Sequence, residues 1–130
     1  MAKELPTRRL HLSEVVKWHG QTWLMAVGFD ADGLANEIFL DACDPIDATL
    51  QASVSRSAIA ASKHLQDGVR LEEMARKGLT DEHPMAGLFV TAIACAARLE
   101  AECGAAIAEA YGAIAAQRMA RDGMRFLSGI

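Results

Sequence analysis

Apolar and polar residues alternate with a period of two through the first third of the chain, and then recur with a period near 3.6. Leu10, Leu12, Val16 and Trp18 fall on one face of a first strand, and His19-Gly20-Gln21 follows as a turn. From Thr22 to Phe29 the alternation resumes, with Trp23, Met25, Val27 and Phe29 on one side and Leu24, Ala26 and Gly28 on the other. Asp30-Ala31-Asp32-Gly33 is a hairpin signal, because glycine supplies the positive φ that such turns need. Glu37-Ile38-Phe39-Leu40 forms a third strand. Connections this short force antiparallel neighbours, so the pattern predicts a three-stranded meander. Both faces carry apolar residues, so helices are expected on one and a partner on the other.

The longer period begins near residue 44. Asp44 is read as the N-cap, Pro45 as the first helical residue, and Asp47 as a favourable charge at the positive helix start. Ile46, Leu50, Val54, Ala61 and Leu65 form an apolar stripe over about 20 residues, a helix that Gly68 ends. Leu71 to Lys77 reads as a short second helix stopped by Gly78. A third starts at Thr80 to Pro84, and no proline follows. Met85, Phe89, Ala92, Ala96, Leu99, Cys103, Ala106 and Ala110 recur in alternating steps of four and three, a heptad-like seam of mostly small residues. Continuous to Met119, this helix would be about 50 Å long, against about 30 Å for a compact domain of this size. It is therefore expected either to break, at Gly104 or Gly112, or to project and pack on another copy. The fold class is thus α+β: a meander packed on helices, with a long C-terminal helix.

The 130 residues suffice for one domain, and 52% are hydrophobic, enough for a core without staples. A net charge of −4 disfavours broad nucleic-acid binding. Three cysteines, Cys43, Cys95 and Cys103, without a CxxC pair argue against a disulfide framework or zinc ribbon. Buried, reduced thiols in a cytoplasmic protein are expected. The N-terminus lacks the apolar core of a signal peptide, and the longest apolar stretch, Ala86 to Ala97, is too short to span a bilayer.

Four segments carry a family resemblance: Leu5-Pro6-Thr7-Arg8-Arg9; Val27-Gly28-Phe29-Asp30-Ala31-Asp32-Gly33; Glu37-Ile38-Phe39-Leu40-Asp41; and Leu65-Gln66-Asp67-Gly68-Val69-Arg70-Leu71-Glu72-Glu73. In order and spacing they resemble the C-terminal (TSCPD-type) region of vitamin-B12-dependent class II ribonucleotide reductases, where they read as LPxRR, a Gly-aromatic-acidic-Asp-Gly hairpin, GEIFID and LQYGVPLEE. The resemblance covers residues 5–80 and leaves 81–130 as an Ala-rich helix expected to drive oligomerisation. The departures are definite. Cys43-Asp44-Pro45-Ile46 replaces the family's Gly-rich turn, and the Thr-Ser-Cys-Pro-Asp segment thought to hold zinc is missing. The family's radical-bearing barrel, with its thiyl cysteine, is missing too. Nucleotide reduction by this chain alone is not expected.

The candidate binding residues are Arg8, Arg9, Glu37 and His64. Arg8 and Arg9 could grip a phosphate or carboxylate on a partner, or pair with Glu4, Glu14 or Glu37. Glu37, at a strand start beside the hairpin, reads as their structural ligand. His64 reads as a cation at a helix end rather than a base. The four histidines, His11, His19, His64 and His83, show no HxxxH or HExxH, so no metal site is expected. Asp41, Asp44 and Asp47 suit helix capping better than a cation. Trp18 and Trp23 read as cross-strand packing partners, with an aromatic ligand platform as the alternative. No GxSxG, P-loop or GxGxxG is present.

The expected function is a non-catalytic binding or regulatory module without a cofactor, acting as a homodimer or higher oligomer. Its further partner would be a ribonucleotide reductase, another protein or, less favoured, a nucleic acid. The alternatives are a small enzyme with an interface active site using Arg8, Arg9, Glu37 and a histidine, and a nucleic-acid-binding oligomer. The latter needs Arg8, Arg9, Arg56, Arg70 and Arg76 on one face.

Overall fold

A computed structural model describes residues 10–77 and 86–128. Strands β1 (Leu10–Trp18), β2 (Gln21–Phe29) and β3 (Ala35–Ala42) form an antiparallel sheet in the order β1-β2-β3. Helices α1 (Ala48–Gln66), α2 (Leu71–Lys77) and α3 (Ala86–Ser128) follow. The α+β meander expected from the period change is what the chain forms.

The strand alternation sorts the two faces. Val16, Trp23, Met25, Val27, Phe29, Ile38 and Leu40 are buried together with Val54, Ala58 and Leu65 of α1 and Leu88, Phe89, Ala92, Ile93 and Ala96 of α3. The opposite face carries Val15, Leu24 and Phe39, which are 53%, 42% and 40% exposed. Trp23 lies opposite Val16, and Trp18 opposite Gln21. The two tryptophans are therefore diagonal neighbours rather than a facing pair. Trp18 instead meets the His19 ring edge-on at 4.4 Å.

The helix start differs from the sequence expectation. Asp47, not Asp44, is the N-cap, and its carboxylate accepts from the N–H groups of Thr49 and Leu50 at 2.8 and 3.3 Å. Pro45 stands ahead of the helix rather than in its first turn. The end is as expected. Gly68, at φ +98°, lets Val69 N–H reach the His64 carbonyl and its own N–H reach that of Leu65, which is a Schellman closure.

α1 also seals the open edge of β3. An edge strand offers unpaired backbone groups to any other chain. Here Ser62 Oγ accepts from Ile38 N–H at 3.0 Å, and its one proton is shared between the carbonyls of Ala58 at 2.9 Å and Ile38 at 3.2 Å. Gln51 takes the Ala42 N–H and gives to Leu40 O, while Gln66 gives to Asn36 O. Gln51, Ser62 and Gln66 recur at helical spacing, so one polar stripe beside the apolar one serves the whole edge.

α3 is continuous for 43 residues, about 65 Å at the standard rise. It does not break at Gly104 or Gly112. Gly104 is where the β2–β3 turn touches the helix: a Cβ there would stand 2.7 Å from the Gly33 carbonyl, and one on Gly33 would strike the Gly104 carbonyl. The seam read as an oligomer contact is also corrected. Phe89, Ala92, Ala96 and Leu99 are buried in the chain's own core. Further along, Ile107 and Tyr111 replace Ala106 and Ala110 as the inward residues. A sheet and a second helix both ask for small and apolar residues at this spacing, so the pattern alone does not choose between them. Beyond Tyr111, residues 112–123 are exposed on every side.

Candidate functional site

Of the residues nominated from sequence, Glu37 and His64 do not come together. Arg8 and Arg9 lie outside the described residues. Glu37 sits on the outer face of β3, and His64 is exposed on the last turn of α1, across the sheet from it. Lys63 and His64 occupy the negative end of the helix, the placement the dipole favours. Of the arginines asked to gather for nucleic acid, Arg56 is exposed on α1, while Arg70 donates to the carbonyls of Ala35 and Val69.

Glu37 has a partner that was not assigned to it. His11 on β1 and Glu37 on β3 lie opposite the same residue of β2, Gly28. His11 Nε2 and Glu37 Oε2 stand 3.2 Å apart. A Cβ on Gly28 would be 2.7 Å from that oxygen and 2.9 Å from that nitrogen. Two strand spacings separate β1 from β3, so the pair closes only over a residue without a side chain. Glu37 is 6% exposed despite standing on the outer face.

A second cluster joins β1 to α3. Arg98 Nη2 donates to both Glu14 oxygens at 2.5 and 2.6 Å, and Arg98 Nη1 reaches Glu102 at 3.2 Å. The Cys95 thiol donates to Glu14 Oε2 at 2.8 Å. That thiol bond, followed by Arg98, holds the Glu14 carboxyl below the usual range. Burial, followed by Glu14, pushes the Cys95 thiol up. A thiol held protonated is a poor nucleophile and a poor ligand, so this cluster is a clamp rather than a reactive centre. Cys43, expected to be buried, is exposed.

The third cluster is the one with open chemistry. A cleft of about 390 Å³ lies where the β2–β3 turn meets the α1–α2 junction, lined by Asp30, Leu34, Asn36, Leu65, Gln66 and Arg70 among others. Asp30 Oδ1 accepts from Asp32 and Leu34 N–H and so shapes the turn. Glu100 takes the Ala35 N–H at 2.7 Å and Arg70 the Ala35 carbonyl at 3.0 Å. Tyr111 OH donates to Phe29 O and accepts from Leu10 N–H, both at 2.7 Å. α3 and the α1–α2 junction thus pin this end of the sheet beside the cleft. Asp30 to Gly33 marked the turn in the sequence. Nothing local marked Asn36 or Arg70, which meet only through tertiary packing.

Among the described residues no group of three or more His, Cys, Asp or Glu could hold a metal ion, and no helix is long and apolar enough to cross a membrane. Compared with protein-family models, curated proteins and solved structures, the chain finds no match.

Proposed function

We propose that the chain is a non-catalytic binding module that works as a homo-oligomer, held by α3, and that residues 5–80 are related to the C-terminal region of class II ribonucleotide reductases. The observation that carries the oligomer is the second half of α3. An isolated helix of a dozen residues is marginal in water, yet residues 112–123 have no cover of their own. Beside the buried residues, Val90, Ala94, Ala97, Ala101, Ala105, Ala108, Gly112, Ala115 and Met119 follow in steps of three and four, with Ala97, Ala101 and Ala105 bordering the β2–β3 turn and Glu72 of α2. All are exposed or half-buried, and none is charged. Small side chains allow two helix backbones to approach closely, and a stripe of this period supports a supercoiled pair. This stripe replaces the seam that the chain's own sheet uses.

Association coupled to folding makes the melting temperature depend on protein concentration. The wild-type midpoint is expected to rise on concentration. A variant carrying Ala108→Arg and Ala115→Arg, which puts charge in the stripe without touching the core, is expected to lose that rise while keeping its helix content. A wild-type midpoint independent of concentration refutes the proposal.

A further inference from the structure

The cleft beside the β2–β3 turn is built like a ligand site, and this holds whether or not the chain self-associates. The register of β2 with β3 slips between Gly28 and Phe29: Gly28 pairs with Glu37, but Phe29 pairs with Ala35. Asn36 is therefore the extra residue of a β-bulge. Bulges re-aim a side chain out of the regular alternation. Asn36 is 2% exposed, lines the cleft, and its Nδ2 has no hydrogen-bond partner. Arg70 lines the same cleft, and its Nε is also buried and without a partner. A buried donor left unmade costs about 1–3 kcal/mol; of the three such donors among the described residues, Trp23 Nε1 lies in the core and the other two belong to residues lining this one cleft.

We propose that this cleft binds a small aliphatic carboxylate. The carboxylate accepts from Asn36 Nδ2 and Arg70 Nε. Its hydrocarbon part lies on Leu34 and Leu65, the apolar lining residues. Both orphan groups are donors, so the ligand end they take is an acceptor. Arginine favours a planar oxyanion over a single carbonyl. The Asp30 carboxylate on the rim disfavours a dianion, which selects carboxylate over phosphate. The volume falls at the small end of ligand pockets, room for a few-carbon acid.

The test is a two-dimensional amide NMR titration of the full chain with isobutyrate, with isobutanol and inorganic phosphate as parallel arms. Isobutyrate is expected to give saturable shifts at Leu34, Gly68 and the Asn36 side-chain amide, with a dissociation constant on the order of 1–10 mM, ordinary for so small a ligand. Isobutanol and phosphate are each expected to bind at least about tenfold more weakly. Asn36→Leu is expected to weaken isobutyrate by about tenfold or more. If that variant does not fold, Asn36→Asp, which keeps the shape and reverses the polarity, is expected to abolish binding. No saturable shift with isobutyrate overturns the proposal. So does equal binding of isobutanol, which leaves only an apolar groove, or equal binding of phosphate, which leaves only a general anion effect. Undiminished binding by a folded Asn36 variant overturns it as well.

Discussion

Gly33 and Gly104 touch backbone to backbone, joining the β2–β3 turn to the middle of α3 across 71 residues of chain. Gly33 also has φ +79°, a conformation that favours glycine. Gly104→Ala is expected to destabilise the fold by about 1–3 kcal/mol, because a Cβ 2.7 Å from a backbone oxygen forces the turn off the helix. Gly123→Ala, on the same helix with nothing within 4 Å of its Cβ, is expected to stabilise by up to about 1 kcal/mol. Chemical denaturation of both variants checks the contrast.

The sealed edge of β3 is testable at one hydroxyl. Ser62→Ala leaves the Ile38 N–H and carbonyl buried without their side-chain partner. A loss of about 1–3 kcal/mol is expected, with faster hydrogen exchange at the Ile38 amide. Ser57→Ala on the same helix is expected to change stability by less than about 0.5 kcal/mol.

The His11–Glu37 pair depends on Gly28. A double-mutant cycle of His11→Ala and Glu37→Gln is expected to show a coupling of about 0.2–1 kcal/mol. The coupling is expected to vanish in a Gly28→Ala background, where the new Cβ holds the two side chains apart. An unchanged coupling there contradicts this geometry.

The Glu14 clamp gives a pH signature. The folded carboxyl titrates below its ordinary value, held down by the Cys95 thiol and Arg98. Its stabilising contribution is therefore complete above the unfolded value of about 4.3, and is lost as pH falls through the lowered folded value. Urea unfolding of wild type and Glu14→Gln is expected to differ near pH 7 and to converge on acidification. The Cys95 thiol, raised mainly by burial, is expected to be alkylated more slowly than exposed Cys43.

What the sequence made legible follows from how far each interaction reaches. The strands, the Asp30 to Gly33 turn and the α1 ending at Gly68 are written in local periods and glycines, and the structure contains them. The Asp47 cap was visible as a charge but not as the cap, because Asp44 and Asp47 carry the same signal three residues apart. The Glu14–Arg98 clamp, the Ser62 seal and the meeting of Asn36 with Arg70 join residues that only tertiary packing brings together. The α3 seam misled for a physical reason: its first half is consumed by the chain's own sheet, and the uncharged stripe left over lies on another side of the same helix. Glu37 was read as a ligand for Arg8 or Arg9, which lie outside the described residues; its contact with His11 is visible only once the strand register is known.

The central claim is that the outer half of α3 is covered by a second copy. Light scattering coupled to size exclusion measures this directly as a molar mass. The account predicts twice the 13.9 kDa chain mass or a higher multiple, falling towards one on dilution or with Ala108→Arg and Ala115→Arg. A mass of one chain at every concentration contradicts it.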